Sequence, residues 1–227
     1  MASLGGIVLG LLVGIRHAFE PDHLTAISNL VVETKDARRG ALLGAIWGLG
    51  HTLSLLIVGI VLLVLGVVLP TSLAAGFECA VAVMLIILGI RSILRAAREH
   101  GGPVTTHRHG AHEHVHAAGP AHLHLGRTTF AWRPLAIGLV HGLAGSGALT
   151  ALVFAELPGT ALRIAYITLF GAGSIAGMAI ASGIAGASLG AVARGPRAQR
   201  SIGLVTGVVS VAVGIGGGIP MVGILAG

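Results

Sequence analysis

The sequence predicts an all-α, polytopic membrane protein with about six transmembrane helices. Three observations carry this expectation. Of 227 residues, 54% are hydrophobic and 10% charged, and mean hydropathy is +0.93, outside the range of soluble domains. The apolar residues fall into six runs, and a helix needs about 20 such residues to cross a bilayer. Basic residues fill every second connection between the runs, as in a chain threaded back and forth through a membrane.

The first run covers residues 4–32. It begins without a basic leader or a clear cleavage site, so it reads as a retained span rather than a signal peptide. Pro21 lies inside it, lacks an N–H for the carbonyl of His17, and its ring clashes there. A bent or broken helix with a free backbone oxygen is therefore expected. The second, third and sixth runs, 41–69, 74–95 and 202–225, read as ordinary spans. The fourth, 134–155, contains HGLAGSGALTAL; Gly142, Gly145, Ser146 and Gly147 either let a helix open around His141 or let it pack closely. The fifth, 161–186, is glycine-rich and mildly apolar, which suits a helix that extends, breaks or lies against its neighbours.

These runs divide the chain into a first three-helix half at 1–98, a loop at 99–133 and a second three-helix half at 134–227. GIRHAFEPDHLTAI and GLVHGLAGSGALTAL share a G-x-x-H opening. With an odd number of spans in each half, the halves would form inverted repeats. Lys35, Arg38 and Arg39 lie in the first connection; Arg91, Arg95, Arg98, Arg108, Arg127 and Arg133 in or beside the third; Arg194, Arg197 and Arg200 in the fifth. The second and fourth connections have none, although Arg163 lies just inside the fifth run. The positive-inside rule puts the basic connections in the cytoplasm and both termini outside the cell membrane.

The net charge of +6 is thus a topology signal, and nucleic acid is not an expected partner; 4% aromatic residues leave little for base stacking. Cys79 is the sole cysteine, which excludes an internal disulfide and a CxxC redox pair. No GxxxxGK[ST] nucleotide loop occurs. No prosthetic group is expected.

Ionisable groups at membrane depth are costly, and they face a cavity, a partner or an ion. His17, Glu20, Asp22 and His23 interrupt the first run, His51 the second and His141 the fourth. At 1.5 Å per helical residue, Asp22, His23, His51 and His141 fall roughly 12–15 Å from the cytoplasmic side, and His17 nearer about 22 Å. A kink at Pro21 would turn His17 and His23, about 120° apart on an ideal helix, toward one cavity. Neutral imidazoles suit Ni²⁺, Co²⁺, Cu²⁺ or Zn²⁺, with Asp22 supplying charge. The lack of a nearby cysteine or methionine filter argues against Cu(I). Glu20 either accepts a hydrogen bond from a ligating imidazole or pairs with Arg16. Trp47 stands four residues before His51 on one face, as a core residue or a ring beside the cavity. Glu78 and Glu156 fall near outer helix ends, as interfacial residues or attractors of cations.

The loop reads EHGGPVTTHRHGAHEHVHAAGPAHLHLGR. Its glycine, proline and polar spacing predict no packed core, and hence disorder. His107, His109, His112, His114, His116, His122 and His124, with His100 before them, suit a weaker, multi-site metal buffer. A linker of biased composition is the plain alternative.

On RHAFEPDHL around His17, Asp22 and His23, with GLGHTLSLL around His51 and GLVHGLAGSGAL around His141, the chain resembles the nickel/cobalt transporter superfamily. Within it, the chain is most similar to short six-span, urease-associated nickel permeases. The resemblance covers both halves and implies transport of Ni²⁺ or Co²⁺ across the cytoplasmic membrane. It implicates His17, Asp22 and His23 first, then His51 and His141, as metal ligands. Glu20-Pro21 stands where eight-span members often have an acidic residue followed by alanine. A cytoplasmic metallochaperone or nickel-enzyme maturation protein is an implied partner.

The expected function is therefore permeation of Ni²⁺ or Co²⁺ as substrate, uptake favoured over efflux, and not an enzymatic reaction. The rivals are a membrane accessory protein that stores or delivers metal and an intramembrane metalloenzyme. The latter is disfavoured because HExxH is absent and Glu20 is the one evident base.

Overall fold

A computed structural model describes residues 2–32, 34, 36–98, 104–109, 112–117, 132–144, 157, 159–193 and 195–226. Helix α1 (Ala2–His17) ends in a tight turn. Phe19 N–H donates to the Arg16 carbonyl at 2.9 Å and Glu20 N–H to the His17 carbonyl at 3.0 Å. Glu20 is extended, and Pro21 then opens α2 (Pro21–Val31), where a missing N–H costs nothing. The break expected at Pro21 is present. The free oxygen expected on His17 is not, because the turn before the proline supplies it with Glu20 N–H.

Helix α3 (Ala37–Leu65) starts at Asp36, whose side chain accepts from Arg39 N–H at 2.8 Å, an N-cap that satisfies one orphan donor. It stops at Gly66, whose φ of 66° is left-handed, a conformation that glycine adopts without a Cβ penalty. Helix α4 is Thr71–Arg98, α5 covers 132–144, α6 is Thr160–Val192, and α7 (Pro196–Ala226) continues through Pro220.

Four helices, α3, α4, α6 and α7, are long and apolar enough to cross a membrane, and Val8–His17 of α1 forms a shorter apolar segment. The protein is a helical membrane protein. Side chains such as Leu12, Ile57, Val64, Ile184 and Val205 point outward, as lipid contact requires. The glycine-rich fifth run is one unbroken helix of 33 residues, and it is packed rather than opened: half of its apolar stretch is buried.

The histidine-rich loop departs from the expected irregularity. Strand β1 (Val104–His109) pairs antiparallel with β2 (His112–Ala117), setting His107 opposite His114 and His109 opposite His112. Its residues alternate with period two, which favours strands, although a lone two-stranded ribbon is marginally stable in water. His100, His122 and His124 lie outside the described residues, as do Gly145, Ser146, Gly147 and Glu156. Glu78 stands half-buried in the second turn of α4.

Helix α3 packs on α6, α4 on α7 and α1 on α6, while α2 touches α3, α4, α6 and α7. Glycines set the seam of α1 with α6 and a further one of α5 with α3. A Cβ on Gly14 of α1 would meet the Phe170 carbonyl and, at 3.0 Å, the Ser174 nitrogen. A Cβ on Gly138 of α5 would meet the Trp47 carbonyl and, at 2.9 Å, the His51 nitrogen. In return, Gly173 of α6 abuts the Leu11 carbonyl and Ile15 nitrogen, and Gly50 of α3 abuts the Leu135 carbonyl and Leu139 nitrogen. The contacts of α1 with α6 thus recur in those of α5 with α3. Buried hydroxyls tie the same seams, Ser174 donating to the Gly14 carbonyl at 3.3 Å and Ser54 to the Leu139 carbonyl at 2.6 Å, the small-residue and hydroxyl packing of membrane helices.

Candidate metal centre

The break between α1 and α2 puts His17 at the last position of one helix and Asp22 and His23 in the first turn of the next. Helix α3 brings His51 and α5 brings His141, along backbones that the glycine seams hold in contact. The four imidazoles converge. The His23 ring lies 4.4 Å from that of His17, 5.2 Å from His51 and 4.3 Å from His141. His17 and His51 are 5.3 Å apart, and His51 and His141 6.1 Å. His23, His51 and His141 are buried.

Asp22 joins two of these rings. Its Oδ1 lies 3.0 Å from His23 Nδ1 and its Oδ2 2.9 Å from His141 Nε2. Glu20 Oε2 lies 2.9 Å from His17 Nδ1, so of its two expected roles the structure shows the bond to an imidazole. Its side chain is 54% exposed, against 14% for His17.

Five buried ring nitrogens have no hydrogen-bond partner among the described residues: His17 Nε2, His23 Nε2, His141 Nδ1 and both nitrogens of His51. Buried polar atoms are normally paired, so a cluster of unpaired imidazole nitrogens suits a cation bound by lone pairs. Two sets of donor atoms each lie within 4.8 Å of one another and could hold an ion: His17, His23 and His51, and Asp22, His23 and His141. The donor set is nitrogen-rich with one carboxylate, which fits borderline divalent metals better than Mg²⁺ or Ca²⁺.

Two aromatic rings frame the cluster. Trp47 is buried 5.5 Å from both His23 and His141 and also belongs to the hydrophobic core with Ile27 and Met178, so both of its expected readings hold. Phe170 of α6 lies 5.3 Å from His17 and was not anticipated from sequence. A signal for it exists: W-G-L-G-H at 47–51 and F-G-A-G-S at 170–174 share an aromatic-G-x-G pattern. The histidine of one falls where the other has Ser174.

The fold and cluster together define a membrane protein with a polar, metal-suited centre among its helices. The chain matches the family of high-affinity nickel-transport proteins, NicO, over residues 3–218, and it belongs to that family. It is also similar to the urease accessory protein UreH of Bacillus sp. (strain TB-90), with 32% identity over 215 residues, 92% of this chain and 88% of that protein. No solved structure matches it.

Proposed function

We propose that this protein carries Ni²⁺ across the cell membrane through a site formed by His17, Asp22, His23, His51 and His141. The observation that carries the reading is the convergence of four imidazoles and one carboxylate in a chain of a nickel-transport family. The ion sheds water, exchanges onto these donors and leaves on the opposite side when the helices rearrange. One aspartate offsets half of the divalent charge, and neutral imidazoles fill the remaining positions without adding more. Protonated imidazole cannot ligate, so protons compete with the ion. Co²⁺ is the second substrate that the same donors accept.

Uptake is the favoured direction, on the similarity to a urease accessory protein: an accessory role implies supply of the ion, through a metallochaperone or maturation protein, to an enzyme. The topology we propose has six spans, α1–α2 and α5 each opening one of two inverted three-helix halves. The reciprocal seams of Gly14 with α6 and Gly138 with α3 support this. Basic connections then face the cytoplasm, where His107, His109, His112, His114, His116, His122 and His124 act as a weaker buffer for the ion.

Flux of Ni²⁺ into sealed vesicles containing only this protein tests the reading. Saturable flux above that of protein-free vesicles is expected. Stoichiometric binding without passage would mean storage or delivery, and turnover of a substrate by the metal-loaded protein would mean an enzyme. The contact of Glu20 with His17 gives a graded test. Glu20→Gln keeps an acceptor but loses the charge that holds the His17 ring, and Ni²⁺ flux should fall by up to about tenfold in the vesicle assay.

A further inference from the structure

We infer that the five residues act as two alternate three-ligand stations that share His23 and hold one ion in turn. The inference rests on the transport reading above. His23 is the one residue common to the two donor sets, Asp22–His23–His141 and His17–His23–His51. Its ring is also the hub of the cluster, in contact with His17, His51 and His141.

Its two nitrogens face different surroundings. Nδ1 lies 3.0 Å from Asp22 Oδ1, whereas Nε2 is buried without a partner among the described residues. A neutral imidazole offers one lone-pair nitrogen at a time, the other carrying the proton. His23 can therefore complete the Asp22 station through Nδ1 or the His17 station through Nε2, but not both at once. Two divalent ions a few ångströms apart, with one carboxylate between them, would also repel strongly in a site of low dielectric.

The stations differ in depth. The Asp22 station supplies a negative charge and the His17 station none, so an ion rests at the first and passes through the second. Each also has one partly exposed carboxylate at its edge: Glu20 beside His17 and Asp22 itself, 54% and 36% exposed at the side chain. Transfer from one station to the other needs no large displacement of the ion. It needs His23 to change the nitrogen that it presents: the nitrogen taken up releases its proton to water and the nitrogen given up receives one from water.

The test uses the full chain with its loop histidines replaced by asparagine for binding and X-ray absorption, and the native loop for flux. At saturating Ni²⁺, one ion per chain with two imidazoles, those of His23 and His141, is expected. His17→Gln/His51→Gln should keep affinity within about threefold yet lose about tenfold or more in vesicle flux, whereas His141→Gln should weaken binding by about tenfold or more. Two ions bound at once, or one ion carrying four imidazoles, would overturn the inference. So would equal loss of binding in His17→Gln/His51→Gln and Asp22→Asn. Should the double variant not fold, ion count and imidazole number in the unsubstituted site decide alone. A protein that moves no Ni²⁺ at all refutes the transport reading instead, while one that moves it from a four-imidazole site refutes only the division into stations.

Discussion

Asp22→Asn should abolish Ni²⁺ flux while leaving the protein folded and inserted. The carboxylate bonds His23 Nδ1 through one oxygen and His141 Nε2 through the other, and it is the sole formal charge in either donor set. Asparagine keeps the shape and one acceptor but removes the charge. The ion thereby loses its one charged donor, so binding should weaken on the order of a hundredfold. Vesicle flux and a binding titration check this directly, with elution as a single species reporting the fold. Wild-type flux in Asp22→Asn would remove Asp22 from the site.

The second large effect is on the scaffold. Gly138→Val would drive a branched side chain into the Trp47 carbonyl and the His51 nitrogen, main-chain atoms that cannot rotate away. Overpacking of a tight core costs about 1–3 kcal/mol and occasionally more, and the upper end applies where the obstacle is backbone. Gly138→Val should therefore lose most folded protein, measured as melting temperature in detergent. Gly76→Ala is the control: among the described residues, nothing beyond its own stretch of helix lies within 4 Å of its Cβ position, so stability should hold or rise slightly. Equal melting temperatures for the two variants would mean that α5 does not rest on α3 as described.

Much of this architecture is legible in the sequence because a membrane penalises polarity so heavily. Asp22, His23, His51 and His141 stand out in apolar runs, and the structure gathers them because nothing in lipid would satisfy them singly. Pro21 announces the break between α1 and α2 through its missing N–H. The same reasoning failed on the next detail, since the His17 carbonyl found Glu20 N–H in a turn one residue tighter than an α-helix. Local stereochemistry forbids one partner without naming the replacement.

Tertiary facts were less visible. Phe170 beside His17 depends on how α6 crosses α1, which no periodicity within either helix encodes; only comparison of residues 47–51 with 170–174 points to it. The strand pair at 104–109 and 112–117 was hidden for a different reason. Alternating histidines carry no apolar face, so composition indicated irregular chain while the period of two allowed strands.

At Gly14 and Gly138, peptide rests on peptide with no side chain as a spacer. At Gly138, atoms common to every amino acid thus set how far the segment bearing His141 stands from the one bearing His51. The cage has a fixed gauge, and mutation elsewhere cannot widen or narrow it by small steps. In the site we propose, preference among ions of similar radius would then change by exchanging one donor for another, as His51 and Ser174 differ at matching positions, rather than by resizing the chamber.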